Sequence, residues 1–251
     1  MNKKSMQQLI SVGLVALFAI GCSAQATSIP TLPTPTLTPV QAVEQNRELF
    51  GAISLGLPLG VLAAKYIPSL PDTDGDVQRR ENYTQLLQMS LDDLNIKLDP
   101  PPASLLSAGR GQQQYQYIES YFEQIIKQTD GRSPCIKFTA GLSLNSAWLI
   151  LAAHQARSID VTDLTAFKQD VSSRLDQFLG LSSAVSLFCK QEGFADFSAK
   201  LDAVSNDSQS WLNRINEVNN NEVVAEVESI VTSLSNWLVD LSEVASGLST
   251  P

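Results

Sequence analysis

A long apolar stripe at the C-terminus is the feature that most constrains the fold of this chain. Eight residues recur there at alternating steps of three and four, the spacing of one helix face: Val224, Val227, Val231, Leu234, Leu238, Leu241, Ala245 and Leu248. A second stripe of this spacing runs from Phe194 through Leu201 and Trp211 to Val218. Because only the short polar segment 219–221 separates the two stripes, the sequence predicts an antiparallel helix hairpin.

Helical patterns also precede the hairpin. Apolar spacing predicts helices over 77–98 and 112–128, the first of them stopped by three consecutive prolines. A further amphipathic helix is expected to start at Asp160, with Asp160 as its cap and Asp163 in its first turn. Gly180 is expected to break or bend that helix before a shorter piece begins.

Two uncharged stretches are long enough to raise the question of membrane contact. Leu49–Ala64 contains Pro58, which favours a bent core helix, with a membrane-dipping or partner-binding segment as the alternative. Phe138–Ala156 carries several polar side chains, so a buried central helix is favoured over a transmembrane one. Cys135–Ala140 is the one short strand candidate. The fold class is therefore all-α, a helical bundle whose core anchors include Trp148, Trp211 and Trp237.

The N-terminus has the pattern of an export signal. Lys3 and Lys4 precede the apolar stretch Leu9–Ile20, which is too short to span a bilayer, and small residues lead to Cys22. The segment Ala19-Ile20-Gly21-Cys22 resembles the lipobox of bacterial lipoproteins. This resemblance covers the first 22 residues and implies a cleaved signal peptide over 1–21 and a diacylglyceryl group, with acyl chains such as palmitate, on Cys22.

A spacer rich in proline and threonine follows the signal. Residues 22–40 carry Cys22 and four prolines and no charge, a composition that builds no core and favours extended, polyproline-like chain. Residues 41–251 then form a single acidic helical-bundle domain by size and composition.

The charge balance excludes some partners. Removal of Lys3 and Lys4 with the signal leaves 15 of the 17 basic residues against 26 acidic ones, a net charge of −11. Nucleic acid and anionic lipid both need a basic surface, so neither is an expected electrostatic partner. Attachment to a membrane would come from the acyl chains, because two or three chains together anchor firmly.

Two cysteines remain once Cys22 is modified. Cys135 and Cys189 invite a disulfide in an oxidising compartment, where closing a loop of this length contributes about 4 kcal/mol. The alternative is that both are small buried apolar residues. Sequence supplies no distance between them, so the choice stays open at this point.

A catalytic site is a weaker possibility. Residues 141–145 nearly match the G-x-S-x-G turn of α/β-hydrolases, in which a serine needs a histidine base, but Asn145 replaces the last glycine. The single histidine, His154, lies eleven residues beyond Ser143. An enzyme or small-ligand carrier with a site around Ser143 and His154 is therefore the alternative to a non-catalytic protein. A single histidine more often lies satisfied in a core than in a zinc site.

Three aspartates resemble the start of a calcium loop. Asp72, Asp74 and Asp76 alternate along a polar turn, but the sixth and twelfth loop positions hold Val77 and Tyr83 in place of glycine and glutamate. A polar turn that leads into the next helix explains them without a metal. No metal or other cofactor is expected.

These patterns predict a membrane-anchored, exported lipoprotein that acts by binding, as a scaffold or assembly factor at the cell envelope. We expect no enzymatic activity, and a protein partner whose identity the sequence does not reveal. The expected location is the periplasmic or extracytoplasmic side of the cell membrane or outer membrane.

Overall fold

The computed structural model of the protein describes residues 39–65, 74–99, 110–158 and 163–247. Helices dominate these ranges and no strand occurs within them, which confirms the all-α bundle. In chain order the helices are α1 (Pro39–Ser54), α2 (Gly56–Lys65), α3 (Asp74–Asp93), α4 (Arg110–Gln128), α5 (Pro134–Ser158), α6 (Leu164–Gln191), α7 (Ala195–Glu217) and α8 (Val223–Gly247), with a 3₁₀ turn at Asn220–Glu222 before α8.

Helix α5 lies at the centre of the bundle. It packs against α1, α2, α4, α6 and α8, and apolar residues on most of its circumference are buried, as is typical of a core helix. The strand expected over Cys135–Ala140 is wrong, because these residues form the first turns of α5. A short apolar run fits a buried strand and a buried helix equally well, and Pro134 at the first helical position suits a helix start.

The uncharged segment 49–64 forms a bent pair of core helices, as Pro58 predicts. α1 ends at Ser54 and α2 begins at Gly56, two residues before the proline. Proline lacks the N–H that a continuous helix would need at that position, and its ring would clash with the Ser54 carbonyl. In the first turn of a new helix the missing N–H is not required, so the chain breaks at Leu55.

Two described stretches are long and apolar enough to cross a membrane by length and composition. These are Val43–Ala64 and Pro134–Ala156, and the bundle buries 67% and 78% of their most apolar parts. Burial to this extent is what the core helices of a helical bundle show.

Helix α6 differs from the sequence prediction both at its N-terminal cap and at Gly180. It begins at Leu164, with the Asp163 side chain accepting a hydrogen bond from the Ala166 N–H at 2.9 Å, so Asp163 rather than Asp160 is the cap. Asp160 lies outside the described residues. The expected break at Gly180 is also wrong, because α6 continues to Gln191. Packing against α5 and α7 outweighs the roughly 1 kcal/mol that one helical glycine costs.

The C-terminal hairpin is present, but it is not an independent core. Helix α7 makes its most extensive contact with α6, and α8 packs on α1 and α5 as well as on α7. Arg214 at the end of α7 reaches Glu226 and Ser229 in the first turns of α8, as antiparallel neighbours require. The stability of the bundle therefore depends on the contacts of α7 with α6 and of α8 with α1 and α5, as well as on the α7–α8 pair.

Helix α3 starts earlier and ends earlier than the sequence predicts. It spans Asp74–Asp93, and Asn95 follows in the left-handed conformation with φ of 49°. Leu87, Leu91 and Leu94 are buried, whereas Leu86, a further leucine within the helix predicted over 77–98, is exposed. The residues after the helix are tied to α4, because the Gln128 side chain bonds both backbone groups of Lys97.

Candidate functional site

Ser143, a candidate nucleophile by sequence, has a structural position. It is fully buried on α5, where its Oγ accepts a 2.6 Å hydrogen bond from the Gly56 N–H and donates a 2.8 Å bond to the Ile53 carbonyl. The break between α1 and α2 leaves the Gly56 N–H and the Ile53 carbonyl without a helical partner, and the Ser143 hydroxyl provides the hydrogen bond that each of them needs. Residues 141–145 are continuous helix and form no strand-to-helix turn.

The structure does not bring Ser143 and His154 together. Both lie on α5, and eleven residues at about 1.5 Å each separate them by about 16 Å along the helix axis. His154 is half-buried and lines a cavity of about 310 Å³ between α2, α5 and α8, whose wall also includes Glu228. A proton transfer between the serine and the histidine needs hydrogen-bond contact, which this spacing does not allow.

Cys135 and Cys189 form a disulfide between α5 and α6. Their Cα atoms lie 4.6 Å apart, although 54 positions separate them in the chain. The Glu192 carboxylate accepts a 2.9 Å hydrogen bond from the Cys135 N–H, and so caps α5 from beyond the end of α6. One covalent link and one cap therefore hold this end of the two helices together.

The acidic candidates do not assemble into a metal site in the described part of the chain. Asp74 and Asp76 lie in the first turn of α3, as a polar turn that leads into a helix predicts. Asp72 lies outside the described residues. Within the described ranges no group of three or more histidine, cysteine, aspartate or glutamate side chains lies close enough to hold a metal ion.

The lipid-attachment candidate is also outside the described residues. Cys22 and most of the proline- and threonine-rich spacer precede Pro39, where the described structure begins. The lipobox resemblance therefore stays a prediction from sequence.

The three tryptophans pack differently. Trp211 is buried on α7, with its ring 6.3 Å from that of Phe178. Trp237 is only partly buried at the margin of the core.

Trp148 stacks on Tyr115 at 5.0 Å, and the Arg174 guanidinium lies 4.9 Å from the Trp148 ring centre. Burial raises the pKa of the Tyr115 hydroxyl, and the Arg174 cation opposes that effect.

A groove on the outer face of α5 was not predicted from the sequence. No Cα atom of α4 lies within 8 Å of one in α6 among the described residues, so the two backbones flank α5, and Arg174 of α6 reaches Tyr115 of α4 across one end. Phe138, Gly141, Asn145 and Trp148 share this face at helical spacing, within a stretch that carries no charge. The one feature of the sequence that could have indicated this groove is Asn145, an isolated asparagine on an otherwise apolar helix face.

Comparisons with known proteins give no relative. The chain matches no protein-family model, no curated protein and no solved structure.

Proposed function

We propose that this protein is an exported lipoprotein, held on the extracytoplasmic side of the cell membrane or outer membrane, whose helical domain binds a partner protein without catalysis. The observation that carries this proposal is the Cys135–Cys189 disulfide. Disulfides persist in oxidising compartments outside the cytoplasm, which is where the lipobox-like signal before Cys22 would send the chain.

The charge of the chain supports an anchor made of acyl chains. With a net charge of −9 over all residues, the protein has no general electrostatic attraction to anionic headgroups. A lipidated Cys22 would supply two or three chains, enough for stable attachment. The uncharged spacer that follows would then hold the helical domain away from the bilayer.

Binding rather than catalysis is favoured by how the polar groups of α5 are used. Ser143 joins two helix ends, Ser146 donates to the Leu142 carbonyl, and Gln155 bonds Gln114, whose own amide donates to the carbonyl of Ala64 in α2. Each of these buried side chains satisfies a structural partner. A rigid bundle with such a core is suited to presenting its outer faces to another protein.

The test combines lipid labelling with partner capture. Cells expressing the protein are fed a palmitate analogue, fractionated, and treated with a crosslinker before the protein is recovered. We expect Cys22→Ser to lose the label and to leave the membrane fraction, whereas Ser28→Ala, a control in the same spacer, behaves like the parent. Undiminished labelling of Cys22→Ser would overturn the anchor, and turnover of a substrate by the purified protein would overturn the non-catalytic assignment.

A further inference from the structure

The α5 groove, defined above by Phe138, Gly141, Asn145 and Trp148, is the strip of α5 that α4 and α6 flank. Its walls come from Tyr115 and Phe122 of α4 and from the half-buried α6 residues Arg174, Leu181, Ala184 and Phe188. The stacked rings of Tyr115 and Trp148 with Arg174 close one end, and the stacked pair Phe138 and Phe188 marks the other. Ten residues of α5 give it a length of about 15 Å.

The floor of the groove contains open space. A Cβ atom added at Gly141 would meet no other atom within 4 Å. By contrast, Gly56 and Gly60 on the opposite side of α5 are packed so tightly that an added Cβ would lie within 3.0 Å of α5 atoms. Gly141 is therefore not needed for packing, and it leaves the α5 backbone accessible at the middle of the groove.

An unpartnered amide lies beside this opening. Asn145 is only 7% exposed, and its Oδ1 accepts no hydrogen bond. A buried polar atom without a partner costs about 1 to 3 kcal/mol, so the free protein holds an unfavourable group at this position. A carboxamide offers one acceptor and two donors, which can pair with the N–H and C=O of a peptide backbone.

The α4 rim of the groove is acidic. Glu119 and Glu123 stand one helical turn apart on α4, whereas Asp170 on α6 is paired with Arg174 at 3.0 Å and adds no net charge. Burial, and the neighbouring charge of Glu123, raise the pKa of Glu119. A basic ligand would relieve this repulsion, and complementary charge on a rim steers association.

We propose that the α5 groove binds an extended segment of a partner protein that carries alternating apolar and basic side chains, with the Asn145 carboxamide pairing with a backbone amide of that segment. At about 3.3 Å per residue, a groove of about 15 Å holds four or five residues of extended chain. Aromatic and aliphatic walls would take the apolar side chains, as in other peptide grooves. This inference depends on the proposed binding function and names its site and partner class.

The test uses fluorescence anisotropy with the full-length protein in detergent and three labelled probes. These are a capped hexapeptide of alternating leucine and lysine, the matching leucine and glutamate hexapeptide, and a long-chain fatty acid. We expect saturable binding of the lysine peptide, and at least tenfold weaker binding of the glutamate peptide. Equal binding of the two peptides, no saturable binding of either, or binding of the fatty acid alone would overturn the proposal.

Variants within and outside the groove test whether the peptide binds there or elsewhere on the surface. Gly141→Leu should fill the floor and weaken binding of the lysine peptide at least tenfold, whereas Gly180→Leu, at an open helical glycine on the exposed side of α6, should leave it unchanged. Asn145→Leu should weaken binding similarly while leaving the melting temperature unchanged or higher, because it removes an unsatisfied polar group. A binding-neutral Gly141→Leu would overturn the proposal, and so would a lower melting temperature of Asn145→Leu.

Partner capture distinguishes this proposal from the broader function. If Gly141→Leu still crosslinks the partner that the parent protein captures at membranes, the groove assignment fails while the binding function stands. If neither protein captures a partner and the lysine peptide still binds the parent through Asn145, the groove stands and the scaffold role fails.

Discussion

The Ser143 hydroxyl accepts a 2.6 Å hydrogen bond from the backbone N–H of Gly56 and joins two helices at the point where the chain breaks between them. The same oxygen donates to the Ile53 carbonyl, so one side chain satisfies both sides of the break. A sequence motif that suggested nucleophilic chemistry is thereby explained by the hydrogen-bond needs of the backbone.

Replacement of Ser143 tests this role. Ser143→Ala leaves a buried N–H and a buried carbonyl without partners, and should lower the free energy of unfolding by about 2 kcal/mol or more. Ser146→Ala is the matched control, because that buried hydroxyl donates only to the Leu142 carbonyl of its own helix. Denaturant titration of both variants gives the comparison. Equal losses in the two would mean that the Ser143 bridge adds nothing to stability.

Glycines at the α2–α5 contact should resist substitution. A Cβ at Gly60 would lie 2.9 Å from the Ile150 Cβ and 3.0 Å from the Ala147 Cα, so Gly60→Ala should cost about 1 to 3 kcal/mol through forced separation of the helices. Gly180→Ala should instead stabilise the protein by about 0.5 to 1 kcal/mol, since alanine favours helix and the site is open. Thermal melts that show the same sign for both variants would contradict this packing.

The disulfide should be a major contributor to stability. Its two cysteines are 54 positions apart, and closing a loop of that size contributes about 4 kcal/mol in the chain-entropy model. The double variant Cys135→Ala/Cys189→Ala should therefore melt well below the parent, and reductant should lower the melting temperature of the parent alone. A parent protein that reacts with a thiol reagent at both positions under denaturing, non-reducing conditions would show that no bridge forms.

The two C-terminal tryptophans should contribute unequally to stability, because they are buried to different extents. Trp211→Ala removes a side chain that is 5% exposed and should cost about 3 to 5 kcal/mol, a large share of a total of about 5 to 15. Trp237 lies at the core margin, so Trp237→Ala should cost less, which revises the sequence expectation that it anchors the core. Denaturant midpoints of the two variants, compared at equal slope, show which substitution costs more. A larger loss from Trp237→Ala would contradict the assignment of Trp211 to the core and of Trp237 to its margin.

A charge reversal on the outer face of α8 should leave the fold intact. Glu243 is exposed, and Glu243→Lys is expected to shift the free energy of unfolding by no more than about 0.5 kcal/mol. Glu226, in the first turn of the same helix, is instead paired with Arg214, so Glu226→Lys should cost more because it sets two cations against each other. Circular dichroism melts of both variants check this difference, and a large loss from Glu243→Lys would contradict it.

The sequence by itself determined the fold class and most helices, because burial of one face imposes a spacing that is visible in the residue order. The stripes of α7 and α8, the turn between them, and the core position of residues 138–156 were all predicted on that basis. Local signals failed where neighbours outweighed them. Gly180 stays helical because α6 packs along its full length, and residues 135–140 are helix because they extend α5.

Only the tertiary structure decided what the polar residues of α5 do. Ser143, Asn145 and Ser146 lie within four consecutive residues and are all polar. Ser143 bridges a helix break, the Asn145 Oδ1 lacks a partner, and Ser146 bonds its own helix. Their roles depend on which helix covers each face of α5, and that is set by contacts between segments far apart in the chain. A single sequence carries the period of a helix but not the identity of its neighbours, so the α5 groove could not be predicted from it.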